Sequence, residues 1–150
     1  MRDTDINIPL TLHVLGAGLL VGALFAVALA IVAGWRRSDD GAVALTRFGL
    51  RSLFIAALPA YVLMRIGAQW TEAAEDLPAE VEDSTWIGIG YITADLGAVL
   101  LLVSLILGGI GLRKLRAGGG LGLSRAVGVI SVLLLAAYVV AVWAMSAKPT

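Results

Sequence analysis

Three ionisable residues lie inside strongly apolar stretches of the sequence, where a titratable side chain is unusual. They are His13, Arg65 and Asp95. An ionisable group is costly to keep in hydrocarbon, so such residues usually pair with one another, relay protons or bind a ligand. A carboxylate can carry protons, a guanidinium can receive an anion, and a histidine can hold a metal ion or haem iron. These three residues are therefore the first candidates for a functional site.

The apolar stretches that contain them have the length of membrane spans. Of the 150 residues, 59% are hydrophobic and 15% are charged, and the mean hydropathy is +0.93. Soluble domains carry roughly a quarter of charged residues, so this composition indicates a membrane protein. Hydrophobic runs predict four spans, at about 10–35, 48–70, 86–112 and 126–145. Residues 1–150 are thus predicted to form one all-α domain, a transmembrane up-down four-helix bundle.

Charge and cysteine content exclude several classes of function. The net charge of zero argues against a nucleic-acid partner, which requires a basic surface. The absence of cysteine excludes disulfides, thiolate metal sites and membrane enzymes that work by thiol exchange. The lipid bilayer is the predicted partner, and a non-enzymatic protein is favoured over an enzyme.

The links between the spans differ sharply in charge. Eight of the eleven basic residues lie in the first and third links: Arg36, Arg37, Arg47, Arg51, Arg113, Lys114, Arg116 and Arg125. The middle link, residues 71–85, contains six acidic residues and no basic one. Because basic links remain in the cytoplasm, we predict a bacterial plasma-membrane protein with both termini and the acidic link outside.

Depth and helical spacing place the polar residues of the spans near one another. At the helical rise, Arg65 lies about 7–8 Å below Trp70, and Asp95 lies about 13 Å below Trp86. Each belongs to a stripe at helical spacing: Phe54, Leu58, Tyr61, Arg65 and Gln69, and Gly88, Tyr91, Asp95, Val99 and Leu102. We predict an outer-leaflet polar cluster of His13, Tyr61, Arg65, Gln69, Tyr91 and Asp95. At its centre we expect a buried Arg65–Asp95 ion pair, with tyrosine hydroxyls bonded around it.

His13 has two interpretations. It is a neutral histidine bonded to Asp95 or to a backbone carbonyl, or it is a ligand of copper or of haem b. In the second case the methionines at a similar level, Met64 and Met145, are the candidate further ligands.

The first span also carries a helix-packing motif. Gly18 and Gly22 form a G-x-x-x-G pair on nearly the opposite face from His13. If His13 faces the bundle, these glycines are available to pack against a second subunit. The sequence thus allows a homodimer or a larger membrane complex.

Four stretches resemble known membrane proteins. LHVLGAGLLVGALF (12–25), with its early histidine and spaced glycines, resembles the first span of copper-resistance D-type membrane proteins. That resemblance implies a role for His13 in handling metal or haem. The stretches LPAYVLMRIGAQW (58–70), TWIGIGYITAD (85–95) and WAMSAKP (143–149) are similar to small uncharacterised actinobacterial four-span membrane proteins. This second resemblance covers most of the chain and implies no function for it.

Three hypotheses of function follow from these residues. In the first, the chain is a non-enzymatic subunit or accessory protein whose polar cluster fixes the packing of its helices. In the second, it binds haem or copper through His13. In the third, it is a small proton-coupled transporter that uses Asp95 and Arg65.

Overall fold

Four long helices account for nearly all of the structure. The computed structural model describes residues 6–37, 39–74 and 84–147. The helices are α1 (Ile8–Trp35), α2 (Asp40–Ala74), α3 (Thr85–Arg116) and α4 (Gly122–Ala147), and the described residues contain no strand. Each helix is long and apolar enough to cross a membrane. The predicted all-α chain with four candidate spans is confirmed, and its helices extend a few residues beyond the predicted spans.

Helix α2 contains one widened turn. Its regular parts, Asp40–Ser52 and Leu58–Ala74, flank a π-helical turn over Leu53–Ala57. Pro59 follows directly, and it has no N–H to donate while its ring crowds the carbonyl one turn earlier. The wider turn relieves that crowding, and the Leu58 N–H donates to the Leu53 carbonyl across it. The disturbance that Pro59 causes in α2 therefore takes the form of a π turn.

Helices α1 and α2 pack backbone to backbone in an antiparallel register. The close approaches, from one end of the pair to the other, are His13–Gly67 and Gly16–Met64, where backbone atoms meet, and Gly34–Thr46, where the threonine hydroxyl faces the glycine. From one facing pair to the next, the residue number rises along α1 by the amount by which it falls along α2. The two helices therefore keep one register along their whole contact. Glycine permits this spacing because any Cβ at these positions would overlap the facing helix.

Helices α3 and α4 pack against each other through contacts that recur every seven residues. The facing pairs are Gly90–Met145, Gly97–Tyr138 and Gly111–Ser124. The same spacing predicts that Ser104 lies opposite Ser131 in the middle of the repeat, and both serines are fully buried. A small residue on α3 therefore meets a larger or equal one on α4 at every seventh position, as in an antiparallel coiled coil.

The remaining contacts join α2 to α3 and α1 to α4, so the helices follow one another around the bundle in chain order. Leu50 and Leu53 of α2 pack against Gly108 of α3, and Ile31 and Trp35 of α1 pack against Gly128 of α4. Each helix is thus antiparallel to the next one. We call the end where α2 ends and α3 begins the acidic end, and the opposite end the basic end. Trp35, the last residue of α1, covers Gly128 near the basic end.

The basic end carries an ion pair in the link between α1 and α2. Arg37 donates from Nε and Nη2 to the two carboxylate oxygens of Asp39, at 3.0 and 2.7 Å. This side-chain hydrogen bonding from Arg37 lowers the pKa of the exposed Asp39 carboxyl. The pair lies outside the candidate spans, exposed to solvent, and contributes little to stability.

Candidate functional site

Helices α2 and α3 pack closely towards the basic end and diverge towards the acidic end. Towards the basic end, Leu50 and Leu53 lie directly against α3, and the backbones are close there. Towards the acidic end, the Leu58–Ala74 part of α2 packs on α1, and close backbone packing with α3 is largely lost. There two long side chains of α2, Tyr61 and Arg65, reach across to α3. We call this place the α2–α3 junction.

An ion pair lies at the centre of the α2–α3 junction. Nη2 of Arg65 donates to Oδ1 of Asp95 over 2.7 Å. The Arg65 side chain is 28% exposed and the Asp95 side chain is 64% exposed, so the pair lies at the surface of the bundle. The expectation of a buried pair is corrected in this respect, because α2 and α3 have separated too far at this level to enclose it.

Tyr61 makes the second link across the junction. Its hydroxyl donates to the backbone carbonyl of Ala94, one residue before Asp95, over 3.2 Å. The expected hydrogen bonding of a tyrosine beside the ion pair is therefore directed to the backbone. Gln69 and Tyr91, the other predicted members of the cluster on these two helices, are exposed.

A residue that sequence reasoning missed lies behind the junction. Tyr138 of α4 is only 5% exposed, and it lies within electrostatic reach of Tyr61 and Arg65. Its ring and hydroxyl cover Gly97 of α3, where any side chain would overlap them. The hydroxyl is buried and has no hydrogen-bond partner among the described residues. A tyrosine in the middle of an apolar span, one heptad from Ser131, was the signal that could have identified it.

The orphaned hydroxyl leads to a prediction about stability. We expect Tyr138→Phe to leave the free energy of unfolding in detergent unchanged or to raise it by about 1 kcal/mol, because a buried hydroxyl without a partner is itself destabilising. Tyr61→Phe, in contrast, should lower it by about 1 kcal/mol, since it removes a hydrogen bond. Denaturant titrations of the two variants measure this. A larger loss for Tyr138→Phe than for Tyr61→Phe would contradict the prediction.

His13 lies at the contact between α1 and α2, and its hydrogen-bond partner is on α2 rather than Asp95. Its Nδ1 is 3.1 Å from the backbone carbonyl oxygen of Met64. A carbonyl oxygen can only accept, so Nδ1 carries the hydrogen of this bond. Of the two interpretations of His13, the structure thus provides the bond to a backbone carbonyl.

The two candidate methionine ligands have other contacts. Met64 meets His13 through its carbonyl oxygen, and its side chain is buried in the core of the bundle. The end of the Met145 side chain lies against Gly90 of α3. Among residues 6–37, 39–74 and 84–147, no group of three or more His, Asp or Glu side chains is arranged to hold a metal ion.

The G-x-x-x-G motif lies on the outer surface of α1. Both Gly18 and Gly22 are exposed, and a Cβ added at either one would meet no atom within 4 Å. The glycines that bring α1 close to its neighbours are Gly16 and Gly34. The predicted role of Gly18 and Gly22 in packing therefore concerns contacts outside this chain.

Comparison with known proteins gives no relative. No family model matches the chain, and neither the curated proteins nor the solved structures contain a match. The resemblances to copper-resistance D-type and to actinobacterial membrane proteins stay expectations. The functional argument therefore rests on the geometry of the α2–α3 junction.

Proposed function

We propose that this chain is a non-enzymatic multi-pass protein of a bacterial plasma membrane, acting as a subunit or accessory protein of a membrane assembly. In this proposal the α2–α3 junction fixes the position of α3 within the bundle. The observation that carries it is the Arg65–Asp95 pair at the bundle surface. An ion pair at membrane depth usually has a protein neighbour that covers it, because lipid tails offer it no hydrogen bonds.

The structural role of the junction follows from its position. The pair and the bond from Tyr61 to Ala94 lie where the backbones of α2 and α3 diverge. Apolar packing between these two helices is weakest there, so the polar side chains supply the connection that packing does not. The junction is thus suited to holding a helix in place, and a surface beside it remains available for a partner.

The charges of the links support an orientation for this protein. The acidic link follows Ala74 and the basic link begins near Ala117, so the positive-inside rule places residue 117 in the cytoplasm. Because the chain has no cysteine, single cysteines report on sidedness without background. We expect Ala74→Cys, in intact cells, to react with a membrane-impermeant maleimide. Ala117→Cys should react only after the cells are permeabilised.

The two positions form a matched pair for this test, since both are exposed alanines beside the ends of helices. Equal labelling of both in intact cells would contradict a single orientation. Labelling of Ala117→Cys alone would invert the proposed topology and place the α2–α3 junction in the cytoplasmic leaflet.

The other two hypotheses remain separate from this proposal. Binding of haem or copper by His13 requires further ligands, and Met64 and Met145 have the contacts described above. Proton-coupled transport by Asp95 with Arg65 requires a path across the bundle in addition to the pair itself. We therefore favour the subunit or accessory role, in which the observed contacts of the junction are sufficient.

A further inference from the structure

The exposed carboxylate of Asp95 is out of place on a surface that faces lipid. Around it on α3, the side chains of Ile92, Leu96 and Val99 are also exposed, and all three are apolar. An exposed side chain within a span contacts lipid tails, where a carboxylate is strongly unfavourable. The 64% exposure of Asp95 thus marks a face that another protein surface would cover.

Both members of the ion pair can form more hydrogen bonds than the one that joins them. Arg65 uses Nη2 for its bond to Oδ1 of Asp95. A guanidinium has five N–H donors, and a carboxylate has about four acceptor positions. The pair can therefore bond to a second set of charged groups without breaking its own hydrogen bond.

We propose that this face is the interface of a homodimer, in which Arg65 of each copy also donates to Asp95 of the second copy. A positive and a negative group side by side are self-complementary under a two-fold axis along the membrane normal. Two copies inserted in the same orientation bring their pairs to the same depth without further adjustment. The four charges neutralise one another, which lowers the cost of holding them in hydrocarbon.

The open glycines of α1 offer a second face for a dimer, and the charges favour the α2–α3 junction over it. The face around Gly18 and Gly22 carries only apolar neighbours such as Val14 and Phe25, which lipid tails can cover at no electrostatic cost. Lipid tails cannot cover the charged carboxylate of Asp95 in this way. This inference rests on the proposed function in one respect, namely that the junction lies within the bilayer.

Disulfide cross-linking between single cysteines tests the proposed interface. Val99 is exposed and lies one helical turn from Asp95, so Val99→Cys should give an oxidised dimer in native membranes. Gly18→Cys is the matched control, because its new side chain meets no atom within 4 Å and lies on the alternative face. We expect cross-linking of Gly18→Cys to remain at the background level. Strong cross-linking of Gly18→Cys would overturn the inference. The absence of cross-linking in both variants would overturn it as well.

A further substitution tests the role of the charges. In the Val99→Cys background, Asp95→Asn should lower the cross-linked fraction at limiting protein density by about tenfold, since charge-assisted hydrogen bonds are lost. An unchanged fraction would show that the charges do not hold the interface, and the proposal would be wrong.

Mixed dimers separate bonding between copies from bonding within one copy. One copy carries Arg65→Gln and the other carries Asp95→Asn, each with Val99→Cys and a different tag. In the mixed dimer an intact arginine faces an intact aspartate, so it should form more readily than either single-variant dimer. A purely intramolecular pair gives no such preference, and a statistical mixture would refute the interface. If the proposed structural role is wrong, unfolding of the single and double variants should show no energetic coupling between Arg65 and Asp95 within one copy.

Discussion

We expect Arg65→Gln and Asp95→Asn each to lower the free energy of unfolding in detergent by about 2 kcal/mol. Each substitution leaves one charge of the pair without its partner, which for an enclosed pair costs about 3–5 kcal/mol. The lower figure reflects the position of the pair, because Asp95 is 64% exposed at the bundle surface. Denaturant or thermal unfolding of the purified variants measures the loss.

The double replacement Arg65→Leu with Asp95→Leu distinguishes a mutual pair from two independent roles. When both charges are removed together, neither is left unpaired, so we expect most of the lost stability to return. The cycle is completed with the single variants Arg65→Leu and Asp95→Leu, and its coupling energy should be about 3 kcal/mol. A double variant no more stable than either single variant would contradict the structural role of the junction. In the transporter hypothesis, Asp95→Asn would instead abolish transport without this loss.

Gly16→Ala has the second large expected effect. A Cβ at Gly16 would overlap the backbone of Met64 on α2, and a backbone cannot move aside as a flexible side chain can. We expect the variant to lose about 3 kcal/mol of stability, because the added methyl group forces α1 and α2 apart. The separation should also lengthen the hydrogen bond between His13 and Met64.

Gly18→Ala is the control for this prediction, two residues away on the same helix. Its Cβ meets no atom within 4 Å, and alanine favours the helical conformation over glycine. Stability should therefore stay the same or rise by up to about 1 kcal/mol. Thermal unfolding of both variants in one detergent gives the comparison. Equal losses at the two positions would show that close packing at Gly16 does not hold α1 against α2.

Much of the architecture was predictable because it depends on local properties of the chain. Runs of apolar residues long enough to span a bilayer must form helices, since their backbone groups find no other hydrogen-bond partners there. Short links between such helices make them neighbours in chain order. Helical spacing also placed Arg65 and Asp95 on stripes that could face each other, and the structure joins these two residues directly.

The rest of the site depends on the distance between helices, which spacing within one helix does not reveal. Nothing in the sequence near Asp95 showed that α2 and α3 separate towards the acidic end and leave its carboxylate exposed. Tyr138 lies on α4, the helix diagonally opposite α2. It approaches the junction only because residue 97 of α3 is a glycine, which has no side chain. Such contacts arise from facing residues far apart in the chain.

The glycines show the same division most clearly. The sequence alone determined that α1 is rich in glycine and that Gly18 and Gly22 share one face. Only the tertiary structure decided that Gly16 forms the close contact and that Gly18 is open. The physical reason is that periodicity defines the faces of a helix, whereas packing against the other three helices decides which face is buried. The sequence therefore determined four candidate membrane spans and their polar residues, and the packing decided which of those residues meet.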